Sequence, residues 1–331
     1  MIKEPIQIGT MTLSNRLVMP PMATYKTADG GSVNDALCDY YEERAKDGKI
    51  GLIITEHTCI RQDGLAGKGQ MSMMDDSVIE PAKKLTEVIK KSGTKAVCQL
   101  NHAGSATNEH LTGMQIVSAS AIPCVGRKKE LETEMVPKEL TVEEIKALEE
   151  TFAQAALRAK KAGYDGVEIH SAHGYLLNQF YSPLTNKRQD EYGCGSMENR
   201  LRFAIETVKR TRELVGADYP IFLRLGGCDY MEGGSTIEDA VEAAKMLEAA
   251  GVDCIDLSGG MCRFMRPGHT EPGYFADMSA AVTAAVKIPV ILTGGIKTAA
   301  EAEELLQSGA ADLIGVGRPI LADAKWAEKE M

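Results

Sequence analysis

Aromatic residues, paired cysteines and long apolar runs are scarce in this sequence. Only 5% of its 331 residues are aromatic, with a single tryptophan. No apolar run approaches the roughly 20 residues of a membrane span, and the N-terminal stretch lacks the apolar core of a signal peptide. The eight cysteines contain no C-x-x-C pair, which argues against disulfide frameworks, zinc sites and iron–sulfur sites. We therefore expect a cytoplasmic protein with reduced thiols and no structural metal.

Basic residues are also in deficit. The chain has 37 Lys and Arg against 47 Asp and Glu, which gives a net charge of -10 at pH 7. An acidic surface repels phosphate backbones and anionic lipids, and no Lys/Arg-rich block offsets it here. We therefore exclude nucleic acid and membrane as default partners. The 44% of hydrophobic residues is typical of an ordinary globular protein.

Short apolar runs alternate with amphipathic segments along the whole chain. Eight of these runs are apolar at nearly every position, as expected of parallel strands buried on both faces. Eight strands, each followed by a helix, predict an α/β fold that is a single (β/α)₈ TIM barrel over 1–331. The predicted strands are Leu17–Met22, Gly51–Thr55, Ala96–Leu100, Gly166–His170, Ile221–Leu225, Cys254–Leu257, Pro289–Thr293 and Leu313–Val316.

Helix signals lie between these strands. The clearest helix is predicted over Thr141–Ala162, where a capping-box pattern opens it and a glycine follows it. Others are predicted over Ser196–Val215, Thr236–Ala250 and Thr298–Gln307. An open doubly wound sheet is the alternative, but no G-x-G-x-x-G turn follows the first strand. The longest irregular segment, about 101–140 after the third strand, is expected to be a lid or substrate wall.

Glycines follow the last two predicted strands, at the barrel face where chemistry occurs. They are Gly294, Gly295 and Gly317, and Arg318 comes next. Glycine lets backbone N–H groups approach an anion, and arginine can add a charge-assisted contact. Many barrel enzymes bind phosphate at this position, so we predict a phosphate site here. The alternative is that these glycines serve only the tight turns.

Two histidines and a tyrosine follow the fourth predicted strand, at His170, His173 and Tyr175. Imidazoles three residues apart can be aimed at one acceptor, and the tyrosine could supply a proton. A metal site would need a third ligand, and Glu168 is expected to point away from it. The alternative is that one histidine only satisfies a local backbone group.

Gln99 and Arg224 are predicted at the ends of the third and fifth strands. A buried arginine at the barrel mouth needs an anion or an electron-rich partner. A glutamine can donate and accept together, which suits an edge with alternating N–H and C=O groups. With the phosphate site, such an edge points to flavin mononucleotide (FMN).

At these residues the sequence resembles the Old Yellow Enzyme family, FMN-dependent ene-reductases and NADH:flavin oxidoreductases. The resemblance covers nearly the whole chain. The motifs that carry it are Asn15–Met22, Gly51–Glu56, Gln99–Gly104, Ala162–His170, His173–Phe180, Asn199–Phe203 and Ala311–Arg318.

The resemblance implies a reaction and a role for each site residue. NADH or NADPH would reduce a tightly but non-covalently bound FMN. Hydride from FMN and a proton from Tyr175 would then reduce the C=C bond of an α,β-unsaturated carbonyl compound. His170 and His173 would bind its carbonyl oxygen, and Tyr25 would flank it. The implied cofactor-binding residues are Pro20, Pro21, Met22, Ala23, His57, Gln99, Arg224, Gly294, Gly295, Gly317 and Arg318.

The chain departs from the family at two of these positions. Ala23 stands where relatives often have a cysteine or threonine, and it cannot donate a hydrogen bond, so we predict a lower FMN reduction potential. His57 stands where relatives commonly have a small residue. Members of the family usually form dimers or tetramers, so we expect a homo-oligomer.

Three alternative functions are open from the sequence. One is a non-catalytic flavin store or sensor, which would bind FMN without alkene turnover. The chain could be the barrel module of a larger dienoyl or enoate reductase, or of an enzyme of the amine dehydrogenase type. It could also be a flavin-free lyase or isomerase barrel, which would need a Schiff-base lysine or a metal site.

Overall fold

Eight of the apolar runs form one closed parallel barrel, as the strand pattern predicts. The structure is a computed structural model and describes residues 1–125 and 135–331. The barrel closes where the last strand pairs with the first. Barrel strands 1 to 8, in chain order, are Leu17–Met19, Leu52–Cys59, Lys95–Asn101, Gly166–Ser171, Ile221–Cys228, Cys254–Gly259, Val290–Thr293 and Leu313–Gly315.

Helices lie between the barrel strands, and the four predicted helices are present. Three of them begin at a threonine N-cap with a complete capping box, at Thr141, Thr236 and Thr298, and each box satisfies backbone N–H groups that a helix start leaves open. In the described chain no helix is long and apolar enough to cross a membrane. The α-helices are α1 (Asp35–Ala45), α2 (Ile79–Lys90), α3 (Glu109–Thr112), α4 (Val142–Lys161), α5 (Leu176–Tyr181), α6 (Met197–Val215), α7 (Ile237–Ala249), α8 (Ala276–Thr283), α9 (Ala299–Gln307), α10 (Arg318–Ala322) and α11 (Trp326–Glu330).

Barrel strand 1 is shorter than predicted. It ends at Met19 rather than Met22, because Pro20 and Pro21 have no backbone N–H to donate to a neighbouring strand. The residues that follow are therefore irregular chain at the barrel mouth.

Barrel strands 2 and 5 are longer than predicted. Strand 2 continues to Cys59, with a shift of pairing register around His57. Strand 5 continues to Cys228, so Arg224 lies inside the strand and the expectation that it ends the strand is wrong. Polar residues are tolerated within these strands because their side chains face the end of the barrel where the strands have their carboxyl ends. The candidate site lies at that end.

The lower end of the barrel interior is apolar. Inward side chains such as Leu52, Val97, Phe222 and Ile291 form one buried cluster. An antiparallel hairpin of Ile6–Ile8 and Met11–Leu13 packs into this cluster. Because this end is filled, a ligand can enter the barrel only from the carboxyl ends of the strands.

The long segment predicted over 101–140 contains short elements. Helix α3 lies in it, and Val117–Ser118 pairs in parallel with Lys138–Glu139. Residues 126–134 of the predicted loop lie outside the described chain.

The place where the barrel closes is its most weakly paired part. Strand 1 pairs with strand 8 through Leu17 and Val18, and with strand 2 through Val18 and Met19. Strand 6, by contrast, is paired with strand 5 at every one of its residues. We expect strand 1 amides to exchange hydrogen faster than strand 5 amides, because local opening follows the weakest pairing. Hydrogen exchange read by mass spectrometry tests this, and slower exchange in strand 1 would contradict it.

Candidate active site

A cavity of about 620 Å³ lies at the carboxyl ends of the barrel strands. Its volume is within the range of pockets that hold small molecules and cofactors. Every residue that the sequence predicts to bind cofactor or substrate lines it, from Pro20 after strand 1 to Arg318 after strand 8. The residues of its lining that were not predicted are Arg263, Phe264, Tyr274, Thr293, Ile296, Lys297, Gly315, Pro319 and Leu321.

The charge of this cavity is opposite to the charge of the protein. Arg224, Arg263, Lys297 and Arg318 line it, and no Asp or Glu is present among the described lining residues. The whole chain has a net charge of -10. A local excess of cationic side chains in an acidic protein produces a positive electrostatic potential at one site. The cavity is therefore suited to an anionic ligand.

One wall of the cavity is formed by the irregular chain after strand 1. The segment from Pro20 to Ala23 presents mostly apolar side chains. Thr24 fastens it to strand 2, because its N–H donates to Glu56 Oε2 (2.6 Å) and its hydroxyl donates to Oε1 (2.8 Å). Burial raises the pKa of Glu56, and the hydrogen bonds from Thr24 oppose this. His57 is next in the chain and lines the cavity, with Gln70 Nε2 2.6 Å from its Nδ1.

The cavity floor is polar, with Gln99 and Arg224 almost fully buried. Gln99 Nε2 donates to Glu168 Oε1 at 2.8 Å. Arg224 Nε lies 3.3 Å from Asp256 Oδ2 in a buried ion pair. Gln99 and Arg224 therefore each contact a carboxyl group that lies deeper in the barrel.

The expectation that Glu168 points away from the site is wrong. Residues two apart in a strand share a face, so Glu168 and His170 both face the barrel interior. Glu168 lies one layer deeper, against Gln99, and is fully buried.

Burial raises the pKa of both buried carboxyl groups. Burial, with the neighbouring Asp256 charge, raises the pKa of Glu168 well above its usual range, and Arg224 opposes this. Burial raises the pKa of Asp256 to about 6, again opposed by Arg224. Arg224 is thus the group that favours ionisation of both carboxyl groups against their burial.

The histidines and the tyrosine after strand 4 converge on the cavity. The ring centroids of His170 and His173 are 5.0 Å apart, and those of His170 and Tyr175 are also 5.0 Å apart. A left-handed turn produces this convergence, with φ of +62° at His173 and +72° at Gly174. Left-handed backbone is uncommon for a non-glycine residue and is often found at functional sites.

Both histidines are neutral hydrogen-bond donors. Burial lowers the pKa of each imidazole well below its usual range, with smaller contributions from neighbouring imidazole and guanidinium groups. His170 Nδ1 accepts from the Ala172 N–H at 3.3 Å, so its ring proton resides on Nε2. His173 Nε2 lies 2.7 Å from Ser258 Oγ. The local backbone bond of His170 thus fixes its tautomer and leaves an N–H for another partner.

These pKa shifts predict how stability depends on pH. Below about pH 6.5 the two histidines bind protons in the unfolded chain but stay neutral when buried in the folded protein. The free energy of unfolding of the wild type therefore falls as pH falls. An H170N/H173N double variant lacks this loss. We expect the stability of the flavin-free variant, relative to wild type, to rise between about pH 7.5 and about pH 5.5, by up to about 1.4 kcal/mol per pH unit for each histidine. Thermal unfolding at both pH values tests this, and a constant difference would contradict it.

A glycine-rich turn follows strand 7. A Cβ at Gly294 would lie 2.8 Å from the Tyr274 ring, and a Cβ at Gly295 would collide with the Glu271 carbonyl oxygen. Gly295 also has φ of +71°. Tight turning thus requires these two glycines, as the alternative interpretation holds, and they also leave backbone exposed to the cavity beside Arg318.

Sequence reasoning missed the loop after strand 6. Arg263 and Phe264 from this loop line the cavity, and the Phe264 ring lies 6.0 Å from the His173 ring. The only signal for this loop is its position after strand 6, because a loop at that point emerges on the catalytic face of the barrel. The turn after strand 7 also brings Lys297 to the cavity edge.

The donor set fits a flat heteroaromatic ring with a phosphate arm. The floor can donate and accept at one edge of such a ring, the wall after strand 1 is apolar, and the glycine turn with Arg318 faces the other end. Histidine and tyrosine side chains lie on another wall. In the described chain, no cluster of histidine, cysteine or carboxylate side chains could hold a metal ion. This fold and this lining therefore suit a flavin mononucleotide as the ligand.

Comparison with known proteins gives the family. The model of the NADH:flavin oxidoreductase / NADH oxidase family matches residues 2–330. The NADH oxidase of Thermoanaerobacter brockii is 41% identical over 98% of this chain, and the match covers 49% of that protein. The NADPH dehydrogenase of Bacillus velezensis is 39% identical, with 98% of this chain and 92% of that protein covered. The solved structure of the old yellow enzyme homologue from Zymomonas mobilis is 29% identical, with a TM-score of 0.85 and coverages of 100% and 93%.

The chain belongs to the NADH:flavin oxidoreductase / NADH oxidase family and has the Old Yellow Enzyme fold. Its cofactor is FMN, and reduced nicotinamide is the reductant. The predictions of family, fold and cofactor are confirmed, and the flavin-free lyase or isomerase alternative is wrong. The chain spans about half the length of the Thermoanaerobacter relative.

Proposed function

We propose that the protein is an NAD(P)H-dependent ene-reductase that acts on α,β-unsaturated carbonyl compounds. When bound, FMN supplies hydride transfer, from nicotinamide in one half-reaction and to the alkene in the other. The observation that carries the proposal is the convergence of two neutral imidazoles and a tyrosine hydroxyl on one cavity wall.

The side chains on this wall supply what alkene reduction needs. Hydride addition to the β-carbon places negative charge on the carbonyl oxygen, so N–H donors fixed beforehand at that oxygen lower the barrier. His170 and His173 are these donors. Tyr175, which is 8% exposed, gives the proton to the α-carbon. Tyr25, which is 47% exposed at the cavity mouth, flanks the substrate.

The remaining predicted residues hold the cofactor. Gln99 pairs with the pyrimidine edge of the flavin, and Arg224 stabilises negative charge beside it. The glycine turn and Arg318 bind the phosphate. The other residues that we assign to FMN are Pro20, Pro21, Met22, Ala23, His57 and Gly317, all on the cavity surface.

The visible absorption spectrum tests the proposed function. We expect anaerobic NADH or NADPH to bleach the flavin bands, and cyclohexenone to restore them. Bleaching without recovery upon addition of cyclohexenone and related enones would contradict alkene reduction.

A second candidate function is suggested by the length of the relatives. In a larger dienoyl or enoate reductase, or an enzyme of the amine dehydrogenase type, this barrel would exchange electrons with further domains. The observation that favours it is the 49% share of the Thermoanaerobacter NADH oxidase that this chain matches. Under this alternative, reduced flavin would fail to react with free enones and would pass electrons to an artificial acceptor.

Arg318 is expected to contribute strongly to FMN affinity. It is exposed at the cavity edge, and hydrogen bonds to a charged partner contribute about 1.5–3 kcal/mol, so R318M should weaken FMN binding roughly 10- to 100-fold. R318K should recover part of the loss, because it keeps the charge without the paired N–H geometry. Fluorescence titration of the flavin-free protein measures both constants. Unchanged FMN affinity in R318M would remove Arg318 from the phosphate site.

A further inference from the structure

A layer of four polar side chains crosses the barrel just below the cavity. Gln99, Glu168, Arg224 and Asp256 come from the consecutive strands 3 to 6, and each is at most 4% exposed. Gln99 and Arg224 reach the cavity surface, whereas Glu168 and Asp256 are absent from its lining. The two carboxyl groups therefore act, if at all, through the side chains above them.

Burying a carboxyl group here requires a physical reason. Replacing a buried ionic group with well-packed apolar residues is often neutral or stabilising. Glu168 Oε2 and both Asp256 oxygens make no hydrogen bond to the described residues. Among the described residues, the carboxyl of Glu168 takes part in one hydrogen bond, the bond from Gln99. An apolar residue would serve packing equally well, so this bond is the feature that distinguishes Glu168.

The bond from Gln99 fixes the orientation of an amide. Gln99 and Glu168 are direct neighbours in the pairing of strands 3 and 4, and Nε2 donates to Oε1 at 2.8 Å. An amide has two N–H donors and one carbonyl acceptor. With one N–H held from below, the other N–H and the carbonyl oxygen are available to the cavity. This is the pattern that the pyrimidine edge of a flavin requires, with one acceptor and one donor side by side.

We propose that Glu168 is a positioning residue, which holds the Gln99 amide in the orientation that binds the pyrimidine edge of FMN. The inference rests on the proposed role of Gln99. Because Glu168 does not reach the cavity, it acts on the cofactor only through that amide. Without an acceptor below it, Gln99 would leave a buried N–H unsatisfied or rotate to another arrangement, and either outcome weakens its contact with FMN.

A double-mutant cycle on the flavin-free protein tests the proposal. FMN dissociation constants are measured for wild type, Q99M, E168M and Q99M/E168M. We expect Q99M and E168M each to weaken binding about tenfold, the equivalent of one lost hydrogen bond. The double variant should also be about tenfold weaker, and not a hundredfold, because the two side chains act as one unit. Independent losses that multiply would overturn the proposal.

A conservative variant separates positioning from packing. E168Q keeps an acceptor for Gln99 Nε2, so we expect FMN affinity within about threefold of wild type, less than the loss of one hydrogen bond. The midpoint potential of bound FMN at pH 7 should fall equally in Q99M and E168M, because both lose a donor to the flavin edge, and it should stay unchanged in E168Q. V167A, a neighbour that packs on the outer side of strand 4, should lower stability without changing either quantity.

The outcomes distinguish this inference from the roles on which it rests. If Q99M binds FMN as tightly as wild type, the assignment of Gln99 fails, and the inference fails with it. If Q99M weakens binding and E168M does not, only the role of Glu168 is overturned. If E168M does not fold, E168Q still decides, because a tenfold loss in that variant would contradict the acceptor role. None of these measurements involves an alkene, so they stand apart from the test of ene-reductase activity.

Discussion

The variant Y175F should lose most alkene turnover while keeping its flavin and its reduction by NAD(P)H. A positioned proton donor contributes about 10²–10⁴-fold to the rate, so kcat with cyclohexenone should fall by about that factor. The Tyr175 ring packs 5.0 Å from His170 and 5.8 Å from His57, and phenylalanine preserves both packing contacts. Stopped-flow measurement of the two half-reactions separates flavin reduction, which should be unchanged, from flavin reoxidation, which should be slow.

Another tyrosine provides the matched control for this variant. Tyr230 is partly buried outside the cavity lining, and its hydroxyl lies 3.3 Å from Asp277. Y230F also removes one tyrosine hydroxyl, but outside the cavity, and we expect its alkene turnover to be close to that of wild type. Equal turnover in Y175F and wild type would exclude Tyr175 as the proton donor and would leave solvent in that role.

Removing one histidine donor should slow flavin reoxidation by about 10²–10³-fold, the typical cost of losing one donor to a developing oxyanion. The variants are H170A and H173A, each measured with cyclohexenone in the oxidative half-reaction. The expected loss is large because both imidazoles are neutral and already oriented, His170 by the Ala172 N–H and His173 by Ser258. Binding of a phenol, which presents an oxygen anion to the same donors, should weaken in parallel.

Asparagine substitutions provide the corresponding rescue. An asparagine amide still donates an N–H, so H170N and H173N should retain more activity than the alanine variants. H110A is the control for removing a histidine, since His110 is exposed in helix α3 and away from the cavity. If H170A and H173A reoxidise at wild-type rates, the carbonyl oxygen is bound elsewhere, and the proposed substrate orientation fails.

The barrel and the composition of the site were predictable because strand polarity decides both. In a parallel barrel the carboxyl ends of all strands meet at one face, so polar residues that end different strands must converge. His170, Gln99 and Arg318 lie far apart in the chain and still line one cavity. Helix starts were predictable for a similar local reason, since a threonine cap with an acidic residue three positions later satisfies the first backbone N–H groups.

Four features of the site could not be obtained from strand patterns. The end of strand 1 depends on prolines that interrupt pairing, and the length of strand 5 depends on its neighbours. The loop that carries Arg263 and Phe264 has no periodic signal, and only its position after strand 6 indicates its place. The position of Glu168 could not be predicted because inward-facing side chains form more than one layer. Glu168 lies between the cavity and the apolar cluster at the lower end of the barrel.

The pairing of strands 8 and 1, which closes the barrel, links cofactor binding to the stability of the fold. Pro20 to Ala23 directly follow strand 1, and Gly317 and Arg318 lie just beyond the end of strand 8, so a ligand held by both groups lies across the closure of the barrel. Binding to the closed form alone raises the free energy of opening. The lifetime of the protein against proteases would then depend on the supply of flavin. Comparing strand 1 hydrogen exchange with and without FMN measures this dependence, and identical exchange would show that closure is independent of the ligand.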